Sequence, residues 1–302
     1  MRVVLTGLAN ILMVLALAPL CEGILRKITA RVQSRQGPPI AQPYYDLLKL
    51  LGKEDLEAGE SPLMQRLAAW LSLATVLTVA LLVPLAGAPP LASVADAYFL
   101  IYLLTLCGVS TMLAGLAAGS TYSLVGMSRE MMSLMTLEPL LALAIVIGIV
   151  QKGTLRLDVI LQGAPYRAGV PVAGLVMFAV VLLAFQALIG RLPFDTAEAE
   201  TELMEGPLME YSGPKLALFK LTQMAKLVVY GAIAIGLFFP WGSGLPAPMH
   251  LVAFLVKLLV LVLAVTWMAA THARYRIDQA VRYYAGLLGT SGVALLLALY
   301  GY

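Results

Sequence analysis

Long apolar runs alternate with short polar connections along the chain. Eight runs are long enough to be membrane spans, because about 20 apolar residues cross the hydrocarbon core as a helix. These runs cover roughly residues 3–25, 67–88, 95–118, 131–150, 170–190, 216–240, 250–272 and 283–302. They are continuous and lack the alternation of barrel strands, and only helices or closed barrels satisfy their backbone hydrogen bonds in lipid. The pattern predicts an all-α, polytopic membrane helical bundle with about eight transmembrane helices, in a single integral membrane domain over residues 1–302.

Composition supports this class and narrows the chemistry. The 302 residues are 61% hydrophobic and only 12% charged, which is too apolar for a surface wetted on all sides. Cys21 and Cys107 lie within apolar runs, far in sequence from any other Cys or His. We find no metal, iron-sulfur, phosphate-loop or dinucleotide motif. We therefore expect no catalytic centre, metal or cofactor in this chain, and no nucleic-acid partner.

Basic residues set the expected orientation. Seven Lys and Arg residues lie within residues 26–66, whereas residues 84–98 and 239–250 have none. Lys and Arg are enriched in cytoplasmic connections. We expect a multi-pass membrane protein with both termini outside and an amphipathic first cytoplasmic connection. Lys152, Arg156 and Arg167 are exceptions on the predicted outer side.

One connection is strongly acidic. The stretch RLPFDTAEAETELMEGPLMEYSG, residues 191–213, is called the acidic segment below, and six of its seven charged residues are acidic. If residues 197–206 form a helix, Glu198, Glu202 and Glu205 share one face. Crowded carboxylates repel, so some would have raised pKa values and would suit proton transfer. A solvated acidic loop is the alternative. The orientation above places this segment in the cytoplasm.

Ionisable residues also occur inside the apolar runs. Glu138 lies eight residues after Glu130, about 12 Å along a helix, and is followed by Pro139, which can kink the helix. Lys220 and Lys226 lie in the sixth run. Buried charges usually face a protein interior or a water-filled path. For the lysines, snorkelling to the membrane surface or a static ion pair remains open.

The acidic segment also carries a family resemblance. PFDTAEAETELMEGPLMEYSG resembles the acidic loop of the membrane-arm subunit shared by complex I and the energy-converting nickel-iron hydrogenases. Further matching motifs are LRKITARVQSRQGPP with YYDLLKLLGKED, SREM with EP over residues 128–139, and ARYRIDQ at 273–279. The resemblance spans nearly the whole chain.

Local features favour the formate hydrogenlyase and membrane-bound hydrogenase branch of this family. The connection GPPIAQPYYDLLKLL is shorter than is usual in complex I, and EGPLMEYSG followed by PWG at 240–242 is similar to the hydrogenase branch. Complex I relatives more often have a carboxylate near Gln223, and Ala269 and Ala273 replace their usual Arg and Pro. These differences disfavour quinone binding.

The resemblance implies a non-catalytic membrane subunit of an energy-converting hydrogenase complex, within a respiratory, energy-conserving chain in the cell (inner) membrane of a bacterium or archaeon. Its partners would be the hydrogenase large and small subunits, an iron-sulfur subunit, antiporter-like membrane subunits and the lipid bilayer. The nickel-iron centre and iron-sulfur clusters would lie in those partner subunits. A proton path, coupling the redox reaction to proton or sodium translocation, would comprise Glu138, Asp195, Glu198, Glu200, Glu202, Glu205, Glu210, Lys220 and Lys226.

A second set of residues would anchor the peripheral arm. The expected subunit interface comprises Arg26, Lys27, Arg31, Arg35, Asp46, Arg129, Glu130, Arg274, Arg276 and Asp278. For the four basic residues between positions 26 and 35, anchoring to lipid headgroups is an equal alternative. Two other functions stay open: a complex I subunit contributing to the quinone site, and a free-standing secondary transporter.

Overall fold

A computed structural model of the chain describes residues 2–56, 61–85, 89–91, 95–161, 172–239 and 247–301. These residues form eleven α-helices and a short 3₁₀ turn at Gly206–Leu208. The helices are α1 (Arg2–Val32), α2 (Gln42–Leu51), α3 (Pro62–Leu82), α4 (Ala97–Ala118), α5 (Thr121–Lys152), α6 (Leu157–Ile160), α7 (Val172–Leu188), α8 (Glu200–Leu203), α9 (Gly213–Phe238), α10 (Ala247–Thr271) and α11 (Ile277–Leu299).

The predicted helical membrane bundle is confirmed. Within the described ranges, seven helices are long and apolar enough to cross a membrane, namely α1, α3, α4, α5, α9, α10 and α11. An eighth, α7, is apolar but has only 17 residues and begins where the described chain resumes. Together they match the eight apolar runs of the sequence.

Two of the spanning helices are longer than a bilayer requires. α1 has 31 residues and α5 has 32. At 1.5 Å per residue each exceeds about 45 Å, whereas the hydrocarbon core is about 30 Å thick. Both therefore extend beyond the core, and each contains one proline, Pro19 in α1 and Pro139 in α5.

The charged connections gather at one end of the bundle. This charged end consists of the C-terminal part of α1, helix α2, the acidic segment and residues 272–276. Several contacts join these parts, including the ion pair between Arg26 Nη1 and Asp46 Oδ2 at 3.3 Å and that between Arg274 Nη2 and Asp195 Oδ2 at 3.1 Å. Helix α2 lies in the first polar connection, where it buries Pro43 and exposes Tyr45. Arg26, Lys27 and Arg31, from the stretch expected to be amphipathic, lie instead in the last turns of α1.

The helix expected over residues 197–206 is wrong. Helix α8 covers only Glu200–Leu203, because Met204 and Glu205 have positive φ angles of 51° and 76° that end the helix. Glu198, Glu202 and Glu205 therefore do not share a helix face. The mutual repulsion of carboxylates inferred from that face does not apply.

Candidate functional site

The acidic segment packs against the first turns of α5. A Cβ atom added at Gly126 would lie 2.7 Å from Pro207 Cδ and 2.8 Å from Gly206 Cα, so the close approach requires glycine. Nearby, the Ser123 hydroxyl donates a hydrogen bond to the Pro207 carbonyl at 3.1 Å. These contacts fix the segment to the bundle.

The carboxylates of the acidic segment contact partners on different elements. Asp195 pairs with Arg274, between α10 and α11, and Glu202 pairs with Arg129 Nη1 of α5 at 2.6 Å. On α9, Lys220 Nζ lies 3.5 Å from Glu205 Oε1, and the Gln223 amide donates to the Glu198 carboxylate. The segment is thus a packed cover across the charged end and not a freely solvated loop.

Glu198 and Glu202 lie four residues apart but have opposite electrostatic environments. Burial raises the pKa of Glu198 to about 7; Lys220 opposes this rise, and the negative charges of Asp195 and Glu130 add to it. By contrast, the hydrogen bond and positive charge of Arg129 lower the pKa of the exposed Glu202. Burial and not like-charge crowding is thus the main reason that one carboxyl of this segment titrates near neutral pH.

A cavity of about 430 Å³ lies between α1, α5, α9, α10 and the acidic segment. Its ionisable lining residues are Glu22, Arg26, Arg35, Glu130, Glu138, Arg191, Asp195, Glu198, Lys220, Lys226, Tyr230 and Arg274. Acidic and basic groups are nearly balanced among them, so the lining carries little net charge when all of them are ionised. A cavity with so many hydrogen-bonding groups is suited to hold ordered water.

The cavity reaches from the charged end into the membrane-spanning part of the bundle. Asp195 and Glu198 line it at the acidic segment, whereas Glu138 and Lys226 line it within the spans of α5 and α9. Lys226 lies 13 residues after Gly213, about 20 Å along α9. One carboxylate oxygen of Glu138 is buried with no hydrogen-bond partner among the described residues, and such an oxygen can accept a proton or bind water.

The expected proton path is partly brought together by this cavity. Five residues of the expected path line the cavity directly, namely Glu138, Asp195, Glu198, Lys220 and Lys226. A sixth, Glu205, contacts the cavity through its ion pair with Lys220. Glu202 lies at the surface of the segment, and Glu210 is half-exposed in the turn before α9 without lining the cavity. The side chain of Glu200 lies outside the described part of the structure, as do residues 240–242 and Arg167.

The expected interface residues separate into two groups. Arg31, Arg35, Arg276 and Asp278 are exposed at the charged end, and Lys27 is half-exposed there. The others are engaged within the chain: Arg26 pairs with Asp46, Arg129 with Glu202 and Arg274 with Asp195, and Glu130 lines the cavity. The internal contacts of this second group indicate that they shape the site.

Sequence reasoning missed two charged residues of the site. Glu22 of α1 forms ion pairs with Arg26 at 2.9 Å and with Arg191 of the acidic segment. Glu22 falls inside the first apolar run, and a charged residue at such a position could have identified it as a candidate site residue. Its pairing with Arg191, 169 residues away, carries no sequence signal.

The fold and the cavity define a class: a polytopic membrane protein with both acidic and basic groups in its interior. A sequence model of the family described as NADH dehydrogenase matches residues 5–299, and the chain belongs to this family. This match covers every helix of the bundle and the acidic segment.

Several curated relatives are similar over most of their length. Hydrogenase-4 component C of Escherichia coli (strain K12) is 37% identical over 265 residues, covering 87% of this chain and 83% of that protein. Formate hydrogenlyase subunit 4 of the same strain is 34% identical over 288 residues, covering 91% and 92%. An NADH-quinone oxidoreductase subunit of Dehalococcoides mccartyi (strain ATCC BAA-2266 / KCTC 15142 / 195) is 32% identical over 270 residues, covering 85% and 74%.

The fold also matches a chain of a solved membrane complex. That structure is the membrane-bound sulfane sulfur reductase, an archaeal respiratory membrane complex. The two chains superpose with a TM-score of 0.89 at 26% identity, covering 99% of this chain and all of the other. The relatives are therefore components of multisubunit hydrogenase and respiratory complexes.

Proposed function

We propose that this chain is the coupling membrane subunit of an energy-converting hydrogenase complex. It holds the peripheral nickel-iron hydrogenase arm at the membrane and links its redox reaction to proton or sodium translocation. The observation that carries the proposal is the cavity that joins the acidic segment to Glu138 and Lys226 within the spans. Ionisable groups at that depth normally mark ion pathways.

The acidic segment would be the part that responds to the peripheral arm. Because the pKa of Glu198 is about 7, a nearby change of charge changes its proton occupancy at neutral pH. Glu198 lines the same cavity as Glu130 and Glu138, so a change of its charge would reach the membrane interior through paired groups and water. Glu138 and the lysines would relay the change to neighbouring antiporter-like subunits.

The charged end would face the cytoplasm of a bacterial or archaeal cell. The exposed Arg31, Arg35 and Arg276 lie at the same end as the acidic segment, and exposed basic residues favour the cytoplasmic side. The hydrogenase large and small subunits and an iron-sulfur subunit would dock there. The nickel-iron centre and iron-sulfur clusters would belong to those subunits.

A complex I subunit that contributes to a quinone site is the second candidate. The family description and the relative that belongs to an NADH-quinone oxidoreductase favour it. The hydrogenase is favoured because Hydrogenase-4 component C is 37% identical to this chain, against 32% for that relative, and because GPPIAQPYYDLLKLL and EGPLMEYSG resemble the hydrogenase branch.

The nickel content of the native complex tests the choice. The complex that contains this chain would be purified from its own membranes in mild detergent, with an untagged strain processed in parallel as the control. We expect a stoichiometric amount of nickel and hydrogen evolution with an artificial electron donor. A nickel-free complex that reduces quinone would establish the second candidate instead.

A further inference from the structure

Glu22 binds two guanidinium groups from different parts of the chain. Its side chain is 3% exposed and accepts a hydrogen bond from Arg26 Nε at 2.9 Å. Arg191 of the acidic segment also donates to it, with Nη1 at 3.2 Å from Oε1 and Nη2 contacting Oε2. Two parallel N–H···O bonds fix the orientation of Arg191 as well as its distance.

The same charges continue to the surface helix. Arg26 Nη1 donates to Asp46 Oδ2 of α2 at 3.3 Å, and Gln42 Nε2 holds the other oxygen, Oδ1, at 3.0 Å. Arg191, Glu22, Arg26 and Asp46 therefore form an unbroken chain of alternating charge. This charge chain, named here by those four residues, runs from the acidic segment through α1 to α2.

Other contacts hold α2 and the preceding loop closely against α1. A Cβ atom at Gly23 would lie 2.0 Å from the Ile40 carbonyl oxygen, so the loop before α2 lies directly on α1. The Tyr44 hydroxyl donates to the Ala16 carbonyl of α1. A displacement of α2 therefore acts on α1 at the level of Glu22.

Arg191 lies where the acidic segment leaves α7. Its backbone N–H donates to the Gln186 carbonyl at 3.1 Å, next to Gly190, which has a φ of 63°. Two residues further on, the Pro193 carbonyl accepts from Tyr275 N at 2.9 Å, and Asp195 follows with its pair to Arg274. The tether at Arg191 thus sets the position from which Asp195 and Glu198 reach the cavity.

We propose that Glu22 is a positioning residue that links the surface helix α2 to the acidic segment, so that the placement of α2 determines the placement of Asp195 and Glu198. The proposal rests on the proposed function in assigning coupling to the acidic segment. It adds a mechanical connection, through which a subunit bound at the charged end would shift the carboxyl groups that line the cavity.

The plain alternative is a static ion pair that only stabilises the bundle. Removing one partner of a buried pair destabilises a fold whatever else the pair does. A measurement of stability alone therefore does not distinguish a positioning role of Glu22 from a static ion pair. A positioning role predicts that two distant segments, residues 42–51 and 191–199, loosen together and that coupling weakens with them.

The test uses the whole complex with Glu22→Gln, which keeps the size of the side chain and removes its charge. Asp158→Asn is the matched control, because it breaks the exposed pair with Arg156 at the opposite end of the bundle. Amide hydrogen exchange would be measured for peptides covering 42–51 and 191–199, and for a reference peptide in α11. In vesicles, the number of ions moved per hydrogen molecule evolved would be measured in parallel.

We expect Glu22→Gln to increase exchange in both 42–51 and 191–199 by roughly tenfold, with α11 unchanged, and to lower the ion-to-hydrogen ratio at least about twofold. The control should match the unmodified complex. Loosening of only one segment, or an unchanged ratio despite loosening of both, would overturn the proposal.

A second variant keeps the test decisive if Glu22→Gln does not assemble. Arg191→Lys retains the positive charge but loses the two-pronged contact, since Lys is a point charge. A lowered ratio in this variant supports the proposal, and a normal ratio overturns it. Glu138→Gln separates a failure of the proposed function from a failure of the role of Glu22. If Glu138→Gln leaves the ion-to-hydrogen ratio unchanged, the proposed function itself fails. If Glu138→Gln lowers the ratio but Glu22→Gln does not, only the positioning role of Glu22 fails.

Discussion

The two ends of the bundle use charge differently. At the charged end, ion pairs join elements far apart in sequence, as in Arg191 with Glu22 and Arg129 with Glu202. At the opposite end, Arg156 pairs with Asp158 two residues away, and the Arg156 side chain is 59% exposed. Short-range exposed pairs contribute little to a fold, whereas long-range pairs with a buried partner constrain how elements meet.

This contrast shows which charges belong to the site. Two pairs at the charged end, Glu22 with Arg191 and Asp195 with Arg274, line a cavity that continues to Glu138, so their arrangement determines which groups meet inside the bundle. The Arg156–Asp158 pair lies in a connection and lines no part of that cavity. Location in a polar connection therefore does not distinguish the two kinds of ion pair, whereas contact with the cavity does.

The largest expected effect is at the packing of the acidic segment on α5. Gly126→Ala places a Cβ atom about where Pro207 lies, so the segment must move away. We expect a loss of about 1–3 kcal/mol in stability, typical of overpacking. Thermal unfolding of the purified complex measures it. Gly286→Ala in α11 is the control, because nothing lies within 4 Å of its added Cβ; equal losses in both variants would contradict the packing account.

The next effect concerns the titration of Glu198. Its pKa of about 7 exceeds the ordinary value of 4.5, so the fold favours the protonated form, and stability falls as pH rises from about 4.5 through 7. Glu198→Gln should remove this decline, which we expect to be about 1 kcal/mol after solvent screening. Unfolding midpoints measured across that pH range test this. An identical pH dependence in the variant and the unmodified complex would contradict a raised pKa.

A smaller effect is expected for Arg129→Gln. Glu202 is 48% exposed, and pairs of this kind contribute about 0.2–1 kcal/mol. Because Arg129 lowers the pKa of Glu202, the stabilisation exists above the unfolded pKa and is lost as pH falls through the folded value. The loss of stability should therefore be larger at neutral pH than in acid, where only the hydrogen bond from Arg129 Nη1 to the Thr196 carbonyl at 3.3 Å is lost. An equal loss at both pH values would contradict a contribution from the ion pair.

The smallest effect is expected at the opposite end. Asp158→Asn breaks an exposed pair within one connection, so we expect no measurable change in unfolding midpoint or in ion transport. A loss comparable to that of Arg129→Gln would remove the distinction between the two ends.

The sequence predicted the bundle well, because apolar length alone identifies spanning helices. It also identified Glu138 and the acidic segment, since charges amid apolar residues stand out. It failed at residues 197–206, where a helical spacing of Glu residues suggested one face, but Met204 and Glu205 adopt left-handed conformations that end the helix. The pairing of Glu22 with Arg191 was inaccessible, because no local pattern relates residues in different helical elements.

The cavity is proposed to couple hydrogen evolution to ion movement. The most direct test is the number of ions moved per hydrogen molecule in vesicles that contain the complex with Glu138→Gln. Glu138 lies within a span at the inner part of the cavity, away from the charged end where the peripheral subunits would dock. We expect hydrogen evolution with an artificial donor to continue, while the number of ions moved per hydrogen molecule falls roughly twofold or more. A normal ratio in an intact complex would show that the cavity does not couple the two processes.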